Sequence, residues 1–168
     1  MRIRLASTLF VALLAVSSCT PPNTQLEAEA NAIIAAMGGT IEYKGTTTKS
    51  CVYDGVGHWG GTVGFTVCVS GGLSTADSGR GTVALHEASH VWLHRMAEWY
   101  DRHGIAFPDY GILQNEEIAS DCFAHAHGGN PAYSNYVGYQ KCSTEQIDFI
   151  KAWMAFFPTN NSSNWVGN

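Results

Sequence analysis

Two histidines and a glutamate near the middle of the chain form the pattern H-E-x-x-H, at His86, Glu87 and His90. Residues four apart on a helix lie on one face, so both imidazoles can reach one metal ion. Glu87 lies beside them, where a carboxylate can take a proton from metal-bound water. The pattern therefore predicts a metal centre, provided that this stretch is helical and that another residue completes the ligand set.

A third protein ligand is expected because catalytic zinc usually binds three side chains and keeps one position for water. The candidate is Glu117, at the start of a later helix, and Glu116 is the competing choice. Asp121 follows Glu117 by four residues, hence on the same helical face, where it can accept the N–H of a ligand imidazole. His94 would lie about 12 Å from His86 along a helix axis, so it is assigned a structural or supporting role.

Apolar spacing and capping residues predict the helices that position these candidates. The central helix is predicted over residues 82–102, where apolar residues recur at intervals of three and four. The later helix is predicted to follow its capping residue, Asn115, and to end at residues 128–129, which are both glycine. Two further helices are predicted over residues 24–37 and 144–157, each with a capping box at its start.

Between the first and the central helix, the composition changes to Thr, Val, Tyr and Gly, which is typical of short strands and glycine-rich turns. Strands are predicted over residues 40–44, 49–53 and 62–69, with turns at residues 54–55 and 60–61. The predicted fold class is α+β. A small N-terminal antiparallel sheet packs on the helix that carries H-E-x-x-H, and further helices follow.

The five cysteines are an odd number, which is awkward for an exported protein. If Cys19 carries a lipid, four cysteines remain, and two disulfides are expected. Four cysteines allow three possible connectivities. The pairs Cys51–Cys68 and Cys122–Cys142 are favoured because each closes a short loop. No C-x-x-C spacing occurs in the chain, so a cysteine zinc site is not favoured.

The start of the chain has the pattern of an export signal. A basic start precedes a short apolar run over residues 5–16, which as a helix would span about 18 Å of a roughly 30 Å hydrocarbon core. Residues 1–18 are therefore predicted to be a signal peptide rather than a membrane helix. The small residues before Cys19 resemble a bacterial lipobox, which predicts cleavage there and a lipid anchor in the membrane. The alternative is an ordinary signal peptide that is cut nearby.

The remaining chain has the length of one domain with a proper core. Residues 19–24 are predicted to be a tether, residues 25–158 the folded domain and residues 159–168 a loose tail. The formal net charge is −5 and no basic patch occurs. Nucleic acid is therefore not expected as a partner.

Together, H-E-x-x-H and a downstream helix with E-x-x-x-D resemble the gluzincin metallopeptidases, the thermolysin-like branch of the zincins. Residues 117–124 are similar to the second helix of small bacterial neutral zinc metallopeptidases. The resemblance covers residues 86–124 only. It implies a compact zincin-like (mini-gluzincin) domain in which an edge strand of the sheet binds the substrate, and residues 62–69 are the candidate strand.

The same resemblance implies a role for each motif residue. His86, His90 and Glu117 match the ligands of one Zn²⁺, Glu87 matches the general base, and Asp121 matches the carboxylate that supports a ligand histidine. The short connection between His90 and Glu117 leaves little room for a large second lobe. No single position matches the Tyr or His that stabilises the oxyanion, and the candidates are Tyr110, His103, His125, His127 and Tyr133.

Other zincin branches resemble the chain less. A metzincin requires a glycine and a third histidine after H-E-x-x-H, and Leu93 and Met96 stand at those positions. An aspartate-liganded relative would use Asp101 or Asp109, but the surrounding motif is missing.

The predicted function is metal-assisted hydrolysis of peptide bonds in a peptide or protein substrate. The main alternative is a lipid-anchored binding or scaffold protein that holds zinc without turnover. A further alternative is that H-E-x-x-H is a coincidence on an exported helical protein without a metal.

Overall fold

The computed structural model describes residues 22–159, which contain four α-helices, two short 3-10 helices and five short strands. The helices are α1 (Pro22–Ala36), α2 (Gly79–Arg102), α3 (Glu116–Ala126) and α4 (Thr144–Phe156). The strands are β1 (Thr40–Lys44), β2 (Cys51–Tyr53), β3 (Val56–His58), β4 (Gly60–Val63) and β5 (Thr66–Ser70). The α+β class predicted from the sequence is confirmed.

Several sequence predictions lie outside the described residues or differ from the structure. The signal peptide, the lipidation of Cys19 and nearly all of the loose tail lie outside the described residues. The first helix already includes residues 22–24, so it extends into the predicted tether, and the capping box predicted at residue 24 is wrong.

Helix α2 is the central element of the core and carries His86 and His90. It packs against α1, α3 and the strands β4 and β5. The apolar stripe predicted on this helix faces the core. Its fully buried residues are Leu85, Ala88, Trp92 and Met96, and Trp99 is half-buried. The helix begins at Gly79, three residues before the predicted start at Thr82. Glycine is a weak helix former, but the ring of Tyr133 occupies the place where a Cβ at Gly79 would lie.

The strands form two small sheets. In the first, β5 lies between β1 and β4, parallel to β1 and antiparallel to β4. In the second, β2 and β3 form an antiparallel hairpin. The prediction of an antiparallel sheet is therefore wrong for β1 and β5. Parallel strands need a long connection, and residues 45–65, which contain β2, β3 and β4, provide it between β1 and β5.

The predicted strand over residues 62–69 is in fact a hairpin. It turns at Gly64, whose φ of +61° lies in the left-handed region that favours glycine. Gly60 and Gly61, predicted to form a turn, belong to β4. Their lack of a side chain serves close packing instead, since Glu87 lies against Gly60 and the ring of Tyr53 against Gly61.

Both favoured disulfides are confirmed. Cys51–Cys68 joins the β2–β3 hairpin to β5, and Cys122–Cys142 joins α3 to the segment before α4. Such bonds persist in oxidising compartments, so they indicate an extracellular or equivalent environment. Among the described residues, no helix combines the length and the apolar character that crossing a membrane requires.

The predicted capping of the last two helices is also confirmed. The side chain of Asn115 accepts a hydrogen bond from the N–H of Ile118 at 3.0 Å. Ser143 and Gln146 form the predicted capping box at the start of α4. The helix α4 ends at Phe156, shortly before Pro158, which has no N–H to continue it.

A buried imidazole on α3 fastens the segment between α3 and α4. His125 is 5 % exposed. Its Nδ1 accepts the N–H of Cys142 at 3.1 Å, and its Nε2 lies 2.8 Å from Oγ of Ser134. Nδ1 is therefore unprotonated, and Nε2–H donates to Ser134.

This arrangement predicts a loss of stability in acid. Burial lowers the pKa of His125 below the ordinary value of 6.5. The unfolded chain therefore takes up a proton at a higher pH than the folded chain, and stability falls as the pH drops below about 6.5. We expect urea unfolding between about pH 7.5 and about pH 5 to show a larger loss of free energy of unfolding for the wild type than for His125→Gln, which cannot titrate. An equal loss in both proteins would contradict this expectation.

Candidate metal centre

The side chains of His86, His90 and Glu117 converge on one point between α2 and α3. The Nε2 atoms of the two histidines are 3.2 Å apart. Oε2 of Glu117 lies 3.3 Å from Nε2 of His86 and 3.6 Å from Nε2 of His90. The structure thus brings together the three residues that the sequence selected, and this group could hold a metal ion.

The three separations match the edges of a small coordination tetrahedron. Ligand atoms bound about 2.0–2.1 Å from one tetrahedral ion lie about 3.3–3.4 Å apart. The observed 3.2, 3.3 and 3.6 Å bracket that value. Two imidazoles and a carboxylate form a donor set of catalytic zinc sites. Because imidazole also suits copper, iron and nickel, the residues fit the class of divalent ion rather than zinc alone.

A buried carboxylate orients the first histidine. Oδ1 of Asp121, which is 1 % exposed, lies 2.9 Å from Nδ1 of His86. Its Oδ2 accepts the backbone N–H groups of Tyr136 and Val137 at 3.0 and 3.1 Å. Because this carboxylate holds a proton on Nδ1 of His86, Nε2 is the ring atom that can bind a metal ion, once the ion has displaced its proton. Asp121 thus lies where the sequence prediction placed it.

A second carboxylate holds the other histidine. Oε1 of Glu116 lies 2.7 Å from Nδ1 of His90. The sequence predicted Glu116 only as the alternative to Glu117 for the third ligand. The structure instead gives the two neighbouring glutamates different atoms of His90, since Glu117 faces Nε2 and Glu116 faces Nδ1. The sequence favoured Glu117 as the ligand, with Asp121 on the same helical face, but it did not indicate a partner for Glu116.

The carboxylates make this group attractive to positive charge. Burial lowers the pKa of His86, but the hydrogen bonds to Asp121 and Glu117 outweigh burial and raise the pKa to about 10. Burial likewise lowers the pKa of His90, and the hydrogen bonds to Glu116 and Glu117 raise it to about 9. The hydrogen bonds with His86 and His90 hold the pKa of Glu117 well below its usual range. The group therefore favours cations, whether protons or a metal ion.

Glu87 lies on the same cavity as the three candidate ligands. It is 6 % exposed, and its Oε2 accepts a hydrogen bond from Oγ1 of Thr62 at 2.8 Å. A carboxylate with this placement can accept a proton from a water molecule in the cavity.

The cavity has a volume of about 910 Å³ and opens over the candidate ligands. Its wall is rich in aromatic residues, namely Tyr53, Trp59, Tyr133, Tyr136 and Tyr139. The ring of Tyr136 stacks on that of His86, with ring centres 5.7 Å apart. Burial and the nearby charge of Glu117 raise the pKa of Tyr136, so its phenol stays protonated at neutral pH.

Tyr136 was not among the five sequence candidates for stabilising an oxyanion. Of those five, only Tyr133 lines the cavity, and its hydroxyl donates to Asp77. The other four do not line it: His103, Tyr110, His125 and His127. His94 is exposed and packs edge-on against Phe65, outside the ligand group. The signal that could have indicated Tyr136 is the density of tyrosines in residues 133–139.

Only part of the predicted substrate strand forms an edge. Strand β5 is covered on both sides, whereas β4 pairs on one side only. The N–H of Ser70 donates to the carbonyl of Trp59, and residues of an antiparallel pair alternate between inward and outward backbone groups. The backbone groups of Gly60 and Thr62 therefore face outward, away from β5.

Family models, curated proteins and solved structures were each compared with the chain, and none of them matches it. The resemblance to gluzincins therefore rests on the motif residues within residues 86–124.

The geometry predicts which histidines retain a metal. Replacing His86 or His90 by Ala removes one of three ligands, so we expect the zinc content to fall from about one ion per chain to less than about 0.1. His94→Ala, one turn further along α2, is the matched control and should keep its zinc. Elemental analysis of protein purified without chelators measures this, and stoichiometric zinc in either ligand variant would contradict the assignment.

Proposed function

We propose that this protein is a zinc-dependent peptidase of the gluzincin type, with a compact zincin-like domain. It hydrolyses peptide bonds with a metal-activated water and with Glu87 as general base. The observation that carries the proposal is the convergence of His86, His90 and Glu117, at ligand–ligand separations of 3.2–3.6 Å, on a cavity that Glu87 also lines.

In this proposal His86, His90 and Glu117 hold the ion. When bound, zinc polarises the scissile carbonyl and acidifies the attacking water. The carboxylates of Asp121 and Glu116 keep the imidazole protons on the Nδ1 atoms, so both Nε2 lone pairs remain available.

Glu87 moves the proton. Its carboxylate takes a proton from the attacking water and passes it to the leaving nitrogen. The side chain of Glu87 is buried where α2 packs on β4, and this burial restricts its motion. The hydrogen bond from Thr62 fixes one of its carboxylate oxygens. Correct placement of a base within reach of the water is the first requirement for this role.

The surroundings of the site suit a peptide. Outward-facing backbone groups at Gly60 and Thr62 can pair with an extended chain, as an exposed sheet edge does with an added strand. The aromatic wall can pack against apolar side chains of that chain. Tyr136 offers a phenolic donor for the negative charge that develops on the carbonyl oxygen.

The proposed location is outside the cytoplasm. The two disulfides support export. In the proposal, cleavage before Cys19 and its lipidation tether the domain to a bacterial membrane.

Replacing the general base separates turnover from metal binding. We expect Glu87→Gln to keep its zinc and to lose at least about 1,000-fold in kcat on peptide substrates, because the amide cannot accept the proton. Glu98→Gln, on the same helix and paired with Arg95 away from the cavity, is the control. Peptide hydrolysis with and without a chelator measures the effect, and unchanged turnover in Glu87→Gln would end the mechanism.

The same assay tests the alternative of a zinc-binding protein without turnover. A wild-type protein that holds one zinc per chain but cleaves no member of a diverse peptide mixture would favour that alternative. Chelator-sensitive cleavage by the wild type supports the peptidase.

Removing the phenolic donor tests the role of Tyr136. We expect Tyr136→Phe to lower kcat by about 10- to 100-fold, since one donor to the developing oxyanion is lost. KM and zinc content should stay near the wild-type values because the ring still stacks on His86. Tyr139→Phe, in the same wall, is the control. An equal effect of both substitutions would argue against a specific role for Tyr136.

A further inference from the structure

Thr62 contacts the side chain of Glu87 from the edge strand β4. Its Oγ1 donates to Oε2 of Glu87 at 2.8 Å and lies 3.2 Å from the backbone carbonyl oxygen of the same residue. Within residues 22–159, no other hydrogen bond to this carboxylate is found. A nearly buried carboxylate is thus held by one hydroxyl group.

Gly60 provides the space for the same side chain. A Cβ at this position would lie 2.7 Å from Oε1 and 2.9 Å from Cγ of Glu87, and 2.7 Å from Cγ1 of Val83. Such distances are shorter than non-bonded carbon contacts allow, so Glu87 occupies the space that any larger residue would need. Residues 60 and 62 lie on the same face of β4, because side chains alternate along a strand. Both therefore face α2 and together enclose the carboxylate.

We propose that Thr62 is a positioning residue for Glu87, acting together with the space that Gly60 leaves. The inference rests on the proposed function, in which Glu87 is the general base. A glutamate has several rotatable side-chain bonds, and misplacing a reacting group by about 1 Å can cost about 100-fold in rate. The hydroxyl of Thr62 binds Oε2, whereas Oε1 lies against Gly60 and accepts no hydrogen bond within residues 22–159, so in the proposal Oε1 accepts the proton.

The choice of residue suits this role. A hydroxyl donates one hydrogen bond without adding charge, whereas a lysine or arginine here would form an ion pair with Glu87 and lower its basicity. Thr62 also belongs to the edge whose backbone groups face outward, so a peptide that pairs with β4 would lie directly beside the residue that fixes the base.

A purely structural role is the rival explanation. In that explanation Thr62 only connects β4 to α2, and its loss lowers stability without a specific effect on the chemical step. The two explanations differ in kcat, in the response to a conservative replacement, and in the position of the Glu87 carboxylate.

The test compares Thr62→Val with Thr62→Ser in the zinc-loaded full chain. Valine keeps the shape and removes the hydroxyl, whereas serine keeps the hydroxyl and removes the methyl group. We expect Thr62→Val to lower kcat about 10- to 100-fold, with KM, zinc content and Tm near the wild-type values, and Thr62→Ser to stay within about threefold of wild type. Thr66→Val, at an exposed position of β5, is the control for the substitution itself.

Two kinetic results would overturn the proposal: wild-type kcat in Thr62→Val, or an equal loss in Thr62→Ser. Gly60→Ala tests the same claim independently, since its Cβ must displace Glu87. We expect a similar loss of kcat with zinc retained, and an unchanged kcat would count against the proposal.

Crystal structures of the zinc-loaded variants keep this test separate from the proposed function. If the wild type cleaves no peptide, the peptidase proposal fails, but the placement of Glu87 can still be measured. We expect its carboxylate to leave the wild-type position in Thr62→Val and to keep that position in Thr62→Ser. An unmoved carboxylate in Thr62→Val would overturn the positioning role.

Discussion

One buried carboxylate, that of Asp121, connects the two sides of the candidate site. One of its oxygens meets Nδ1 of His86, and the other accepts two backbone N–H groups, those of Tyr136 and Val137. Burying a carboxylate is costly unless its lone pairs find donors, and here three donors surround it. The same group therefore fixes a candidate ligand and the segment that places Tyr136 over it.

The disulfides fasten the elements that lack a large core of their own. The β2–β3 hairpin has few buried residues, and Cys51–Cys68 attaches it to the central strand of the sheet. The segment between α3 and α4 contains little regular structure, and Cys122–Cys142 attaches it to the helix that carries Glu117 and Asp121. In the loop-closure view, bonds that close loops of this size contribute about 3 kcal/mol each. Covalent bonds thus hold both walls of the cavity, where hydrophobic packing is limited.

Local sequence signals predicted the helices and the caps of α3 and α4, because spacing and capping chemistry act over a few residues. The disulfide pairs were predictable because each closes a short loop. The grouping of His86, His90 and Glu117 was also predictable, since H-E-x-x-H fixes two ligands and a nearby acidic helix limits the third. What the sequence could not provide depends on contacts between distant segments. The parallel pairing of β1 with β5 is one example. The partnership of Glu116 with His90 is another, since only the way in which α2 and α3 cross brings Glu116 to Nδ1 of His90.

The positions where local rules failed are concentrated around the cavity. Gly60 and Gly61 have the pattern of a turn but belong to β4. Gly79 is the first residue of α2, although glycine is a weak helix former. At each of these three positions a side chain of the cavity wall fills the place of the missing Cβ, namely those of Glu87, Tyr53 and Tyr133. The local secondary-structure preference of these glycines is therefore overridden where a side chain packs closely against the backbone. Conflict between local preference and fold is expected at functional sites. Gly61 and Gly79, which lie against Tyr53 and Tyr133, therefore support the candidate site independently of the H-E-x-x-H residues.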